Sequence, residues 1–394
     1  MQTNFDEIIN RKNTNSIKYE PGVLKEMFGS EDLLPMWVAD MDFKCPDVIV
    51  NAILERATHG IYGYSDMDDA FYDVFIDWNM RRNQWKIERD WICYSPGIVP
   101  AVNYIVQAFC HTGDKVIIQN PVYYPFSQAI LNNGAQVIYN PLVKIENQYK
   151  MDFDHLEEIV KDSRVKLFIL CNPHNPIGRV WSEEDLLRLG EICIAHDVIV
   201  VSDEIHSDLI LKGHKHIPFA SLSENFAEHS ITCMSPSKTF NIAGLQISNI
   251  VIPNANIRAT FQTILENNAI RHPNIFGIVA QKAAYGEGEQ WLEEVLEYIE
   301  GNMDYIDAFV KARLPEIKFQ KPEATYLAWL DFSGLGMDQL SLEKWMHHEV
   351  KLALDEGYIF GEGGEGFERI NVACPRSVVV EALERIEKAV ALRR

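Results

Sequence analysis

A chain of 394 residues is long for a single hydrophobic core, so two domains are expected. With 47% apolar and 24% charged residues it has the composition of a globular protein, and a formal charge of −21 disfavours nucleic acid and anionic membrane surfaces, both of which recruit Lys and Arg. The seven cysteines are scattered, odd in number and without a C-x-x-C pair, which excludes a disulfide framework and predicts buried thiols in a reducing compartment.

The opening Met1-Gln2-Thr3-Asn4-Phe5-Asp6-Glu7 is polar and acidic with no secretory pattern, and runs such as Val198–Val201 are too short to span a bilayer, so a cytoplasmic protein is expected. Residues 1–45 read as an arm ending in Leu34-Pro35-Met36-Trp37-Val38-Ala39-Asp40-Met41-Asp42-Phe43. Asp40 and Asp42 there are either a paired acid/base or metal site, or loop caps and solvated acids. Asp47–His59 has helical spacing and stops at Gly60. Ile61-Tyr62-Gly63-Tyr64-Ser65 follows as a turn with two aromatics.

From Trp91 to about Ile252 short apolar runs alternate with helices, which predicts a largely parallel sheet with crossover helices. The seven runs are Trp91–Tyr94, Lys115–Gln119, Gln136–Asn140, Val165–Cys171, Val198–Ser202, Ile231–Met234 and Ile247–Ile252. Between them Ser182-Glu183-Glu184-Asp185 has a capping-box pattern, opening a helix whose apolar face is Leu186, Leu189 and Ile192/Cys193. Ligands of such sheets sit at the carboxyl ends of the strands. Gly97, Tyr123, Asn172, Asp203 and Lys238 all fall just past those ends. Glu289–Arg313 then reads as one long helix with an apolar face from Leu292 to Val310. It leads into a smaller unit with strands at Thr325–Asp331 and Phe367–Ala373 and a terminal helix over Arg376–Leu392. The expected division is an arm over 1–45 packed with the small domain, a large domain over 46–288 and a small domain over 289–394.

Ser235-Pro236-Ser237-Lys238-Thr239-Phe240 follows an apolar strand. Lysine forms imines with carbonyls, and hydroxyls one and three residues before it suit a phosphate on the same molecule. Pyridoxal phosphate carries both groups. Ser95-Pro96-Gly97-Ile98-Val99 ends a strand and opens a helix, so N–H groups at Ile98 and Val99 suit a phosphate. Asp203 is placed to meet a pyridine nitrogen and keep it protonated, with Glu204 on the opposite face. Asn172 suits a phenolic oxygen and a substrate carboxylate, and Tyr123 offers a flat face for stacking. Two further patterns are set aside. Gly361-Glu362-Gly363-Gly364-Glu365-Gly366 matches G-x-G-x-x-G, but it precedes a strand and carries two glutamates. Gly213-His214-Lys215-His216 lacks nearby acids or cysteines for a metal.

On these residues the chain resembles the fold-type I pyridoxal-phosphate enzymes of the class I/II aminotransferase superfamily, with the aspartate-aminotransferase-like α/β fold. Over nearly its whole length it is similar to the MalY/PatB-type cystathionine β-lyases. The stretches that carry this are Trp37–Phe43, Ile61–Ser65, Asp203-Glu204-Ile205-His206, Ser237–Ile242, Thr325–Asp331 and Cys374-Pro375-Arg376. The resemblance implies that Lys238 holds the cofactor and is catalytic together with Tyr123. It implies that Asp203 meets the ring nitrogen, Tyr123 stacks on the ring and Asn172 meets the phenolic oxygen. His206 joins that cofactor set, and Arg369 takes the substrate carboxylate, with Asn172 and Trp37 beside it. Tyr64 would reach the phosphate of a neighbouring subunit, which implies a homodimer with shared sites. Two departures stand out. Gln246 occupies the position where relatives commonly carry a phosphate-pairing arginine, leaving the helix start, Ser235, Ser237 and Tyr64 to hold the phosphate. Glu356 stands where a proline is usual. The activity implied is a C–S β-lyase that cleaves cystathionine or cysteine S-conjugates to a thiol, pyruvate and ammonia. An aminotransferase is the alternative, and a regulatory binding protein that keeps the cofactor fold is a third reading.

Overall fold

The structure is a computed structural model that describes residues 3–146 and 148–394. Its main sheet has seven strands: β1 (Ile92–Ser95), β2 (Lys115–Ile118), β3 (Gln136–Tyr139), β4 (Val165–Cys171), β5 (Ile199–Asp203), β6 (Ser230–Met234) and β7 (Ser248–Val251). They lie in the order β1-β7-β6-β5-β4-β2-β3. β7 runs antiparallel to both neighbours and the other pairings are parallel. Each of the seven apolar runs in the sequence is thus a strand of one sheet.

The two faces of the sheet explain why the central runs are largely apolar. Leu167, Ile169 and Cys171 of β4 pack into a core with Ala101, Ile105, Phe126 and Phe261, whereas Phe168 and Leu170 pack into another with Leu186, Leu189 and Phe226. Side chains alternate between faces, and both faces are covered by helices. Helix α1 (Asp47–Thr58), α2 (Asp69–Asn83), α3 (Ile98–Phe109), α4 (Glu183–Ala195) and α5 (Ile275–Glu287) belong to this half of the chain. α4 opens with a capping box between Ser182 and Asp185, and buries Leu186, Leu189, Gly190 and Cys193.

Helix α6 (Glu289–Arg313) buries Leu292, Val295, Ile299, Met303, Ile306 and Val310 along one stripe. With helix α7 (Arg376–Ala391) it covers a second, antiparallel sheet. That sheet runs β8 (Lys318–Phe319), β9 (Leu327–Asp331), β11 (Phe367–Asn371), β10 (Asp355–Glu356) across its width. The strand expected from Thr325 begins only at Leu327, because Thr325 takes a left-handed φ of 72° that interrupts extended backbone. Leu34–Pro35 of the arm pairs in parallel with Leu352–Ala353, and Leu24, Phe28, Leu33 and Trp37 pack against Ala353. Helices α2 and α5, two more at Pro125–Asn132 and Ala255–Asn267, and a hairpin of Val143–Ile145 with Gln148–Lys150 had no counterpart in the sequence reading. Among the described residues no helix is long and apolar enough to cross a membrane, and all seven cysteines are free thiols.

Candidate active site

Strands β4, β5 and β6 are parallel neighbours, so their carboxyl ends bring together Asn172, Asp203 and the turn that carries Lys238. Lys238 sits in a single helical turn, Pro236–Thr239. Ser235 starts that turn: its hydroxyl accepts from the Ser237 N–H at 3.1 Å and donates to the Ile247 carbonyl at 2.7 Å. The Ser235 hydroxyl is therefore committed to the protein, and Ser237 is the freer of the two. The Lys238 Nζ donates to the Ala39 carbonyl at 2.6 Å, and the Tyr326 hydroxyl donates to the same oxygen at 2.8 Å. Burial draws the amine down to about 8; Asp40 and Asp203 oppose this and Arg369 adds to it.

Asp203 ends β5, buried, with one oxygen accepting from the Ile205 N–H at 3.1 Å and no cationic side chain paired to it among the described residues. Burial pushes its carboxyl up to about 7. Glu204 shares the side of Ser202, whose hydroxyl donates to it at 2.8 Å, and it also accepts from the Phe219 N–H and meets His216 Nε2 at 2.8 Å. His216 thus serves Glu204. The Asn172 amide donates to the Ile217 carbonyl at 3.2 Å, while its Oδ1 is buried without a partner among the described residues. His206 is likewise buried with Nδ1 unpartnered, its ring 6.1 Å from that of Tyr326, and burial drops it to about 3, so it is neutral. The Tyr123 ring packs edge-on to Phe126, and burial raises its phenol above the usual range.

Arg369, on β11, is buried. It donates to Asn175 Oδ1 at 3.0 Å and the Trp37 carbonyl at 3.1 Å, pairs with Asp355, and leaves Nε without a partner among the described residues. The Phe360 ring lies under its guanidinium at 4.9 Å. Trp37 reaches this point through its backbone; the indole packs edge-on to Phe28 and donates to the Lys18 carbonyl. Ile98 and Val99 begin α3 after Gly97, a start with no side-chain cap, so its first N–H groups are available to an anion. Tyr64 is 99% exposed beside His272, away from Lys238's own surroundings in this chain. Gln246 is exposed, at a left-handed φ of 53°.

Several residues that shape the site were not singled out from the sequence. The Ala39 loop is held from below: the Asn371 amide donates to the Val38 and Asp40 carbonyls at 2.5 and 2.6 Å, and the Asn241 amide to those of Met41 and Phe43 at 3.0 and 2.9 Å. Asp40, partly exposed, and Asp42, buried, are both held in ion pairs. Arg11 bonds to both, at 2.5 and 2.6 Å, and the fully buried Lys18 pairs with Asp42 at 2.8 Å. Asp355 was also missed; only the cross-strand register that sets it opposite Arg369 reveals it. The 361–366 glycine loop leads into β11, and its Glu362 carbonyl accepts from Asn120 at 3.0 Å, which is no dinucleotide cradle.

A model of the "Aminotransferase class I and II" family matches residues 31–386. The chain belongs to that family. Within it, the chain is 48% identical to cystathionine β-lyase PatB of Bacillus subtilis, over 98% of this chain and 100% of that protein. It is 32% identical to Protein MalY of Escherichia coli, over 98% and 97% of the two. Cystalysin of Treponema denticola, whose crystal structure contains a pyridoxal 5'-phosphate cofactor, superposes with a TM-score of 0.96 at 39% identity and covers all of both chains. This is therefore a fold-type I chain of the MalY/PatB-type subgroup, in a pyridoxal-phosphate-dependent family. The residues present fit that cofactor. Among the described residues, a buried carboxyl without a paired cation, two orphaned buried polar atoms at Asn172 and His206, a helix start with no side-chain cap and a half-buried amine are the partners an anionic, ring-protonated aldehyde requires.

Proposed function

We propose that this chain is a pyridoxal-phosphate-dependent carbon–sulfur β-lyase that cleaves cystathionine or cysteine S-conjugates to a thiol, pyruvate and ammonia. The observation that carries the reading is near-full-length identity of 48% to a protein named cystathionine β-lyase, with Lys238 half-buried just past the carboxyl end of β6. When bound, pyridoxal phosphate supplies an aldehyde and an electron-accepting ring. We place Asp203 at the ring nitrogen, where a cation turns the cost of its burial into an ion pair. Asn172 and His206 offer their unpartnered atoms to the ring's polar edge, with Tyr123 against its face. Ile98, Val99, Ser237 and, through the turn it caps, Ser235 receive the phosphate. Arg369 binds the substrate carboxylate, and Asn175, Trp37 and Asp355 fix the plane of its fork. Lys238, whose amine titrates near 8, takes the proton from substrate Cα as general base. The electron pair left at Cα closes a Cα=Cβ bond as the Cβ–S bond breaks with its own pair on sulfur, and water then converts the resulting enamine to pyruvate and ammonia; a thiol with pKa about 8.5 is an adequate leaving group.

Ile61, Tyr62 and Tyr64 form an exposed apolar strip, and we propose that a second copy covers it, with Tyr64 entering the partner's phosphate site in a cytoplasmic homodimer. The proposed division into an arm (1–45), a large domain (46–288) and a small domain (289–394) places Lys238 and Arg369 on different units. Holoenzyme given cystathionine alone is expected to release pyruvate and free thiol. Product that forms only when a 2-oxo acid is added would instead make the chain an aminotransferase.

A further inference from the structure

Strands β10 and β11 put one residue of each adjacent pair toward the active site and the other away from it. Asp355 stands opposite Arg369 on the first face, and Glu356 opposite Glu368 on the second. On that second face Glu343 and His347, four residues apart, project from helix Gln339–Trp345 and the wide turn that continues it, Met346–Val350. Ligand atoms of Glu343, His347 and Glu356 all lie within 4.8 Å of one another. His347 Nε2 is 3.1 Å from Glu356 Oε1, and the Tyr358 hydroxyl donates to Glu343 Oε2 at 3.0 Å. Glu368 is 2% exposed, yet its Oε2 has no hydrogen-bond partner and no cation pairs with it among the described residues. Two carboxylates and one imidazole thus converge, with Glu368 facing Glu356 from the adjacent strand, and among the described residues no basic side chain is bonded to any of them. An orphaned, buried carboxylate oxygen among them is a costly arrangement unless a charge fills it.

We propose that Glu343, His347, Glu356 and Glu368 hold one divalent transition-metal ion, Zn2+ or Mn2+, on the face of β10 and β11 opposite the Arg369–Asp355 pair. One imidazole with carboxylates and no thiolate is a donor set for these ions. Metal–ligand bonds of about 2.0–2.2 Å need donor atoms roughly 3–3.5 Å apart, so the three-residue cluster has only to contract around the ion. Glu368 then completes the set from the adjacent strand. The ion would tie the helix to the strand that carries Arg369, making this a structural site with no place in the C–S cleavage.

The test is metal content of the holoenzyme after incubation with Zn2+ or Mn2+ and desalting, read beside the melting midpoint. One ion per chain is expected, with Tm raised by about 3 °C at a hundredfold excess over Kd. Glu368→Gln and His347→Gln should each lose the ion and the Tm rise, while His214→Ala, in the exposed loop of the other histidine pair, should keep both. Wild-type protein that retains no ion overturns the proposal, as does loss of the ion in His214→Ala. If Glu368→Gln fails to fold, the conservative Glu343→Gln decides: retention of a full equivalent by that variant places the ion elsewhere. A metal-free wild type whose Tm rises on Glu368→Gln would assign the cluster to a protonated carboxyl.

Discussion

Arg369 meets three fixed oxygens before any substrate arrives, so the substrate carboxylate finds its fork already aimed. Lysine keeps the charge but loses the plane and two-point contact. Arg369→Lys is accordingly expected to raise KM for cystathionine by at least about tenfold, with kcat changed less. An unchanged KM would remove Arg369 from substrate binding. Asp203 has a signature of its own in the cofactor-free chain. Its folded value of about 7 lies above the ordinary 3.8, so the folded chain holds that proton more tightly than the unfolded one. Its contribution to stability is complete below about pH 4 and is lost as pH rises through about 7, on the order of 4 kcal/mol in all. Denaturant unfolding of cofactor-free Asp203→Asn should show that fall flattened between pH 4 and 7. An identical slope in the variant would mean that Asp203 is not the group responsible.

At the scale of elements, α4 packs closely against the Glu224–Glu228 helix. A Cβ on Gly190 would stand 1.9 Å from the Phe226 ring, so Gly190→Ala should destabilise the chain by about 1–3 kcal/mol in denaturant melts. Full retention of stability would show that Phe226 swings aside at no cost. The main sheet was legible in the sequence because its central strands are buried on both faces and read as short, largely apolar runs. α6 was legible because its stripe keeps helical period for 25 residues. α2 was not: Asp73, Asp77, Asn79, Arg81 and Arg82 crowd its sequence, and only Phe71, Phe75, Trp78 and Asn79 are buried. α5 hides behind Gly277 and Gly286, residues that argue against a helix locally but allow the Leu245 backbone to approach Gly277. In the site, residues just past strand ends could be found from local sequence. Asp355 acts through cross-strand register, and Asn371 and Asn241 through contacts 200 or more positions away, none of which a local pattern encodes.

For the whole molecule, the exposed strip at 61–64 predicts association. Light scattering should give twice the chain mass at micromolar concentration, and a monomer would leave Tyr64 without a phosphate to meet. Tyr64→Phe should preserve that mass while weakening cofactor retention several-fold, read as loss of the yellow chromophore on dialysis; equal retention would free Tyr64 of that role.

The Ala39 carbonyl carries a consequence for how the protein is born. Its two donors come 199 and 287 positions later, and the amide that props its loop lies more than 330 positions downstream. On the ribosome the arm emerges well before Lys238, Tyr326 and Asn371, so its loop waits for all three. Vitamin capture is then a late event of biosynthesis, open only to chains in which translation has passed β11.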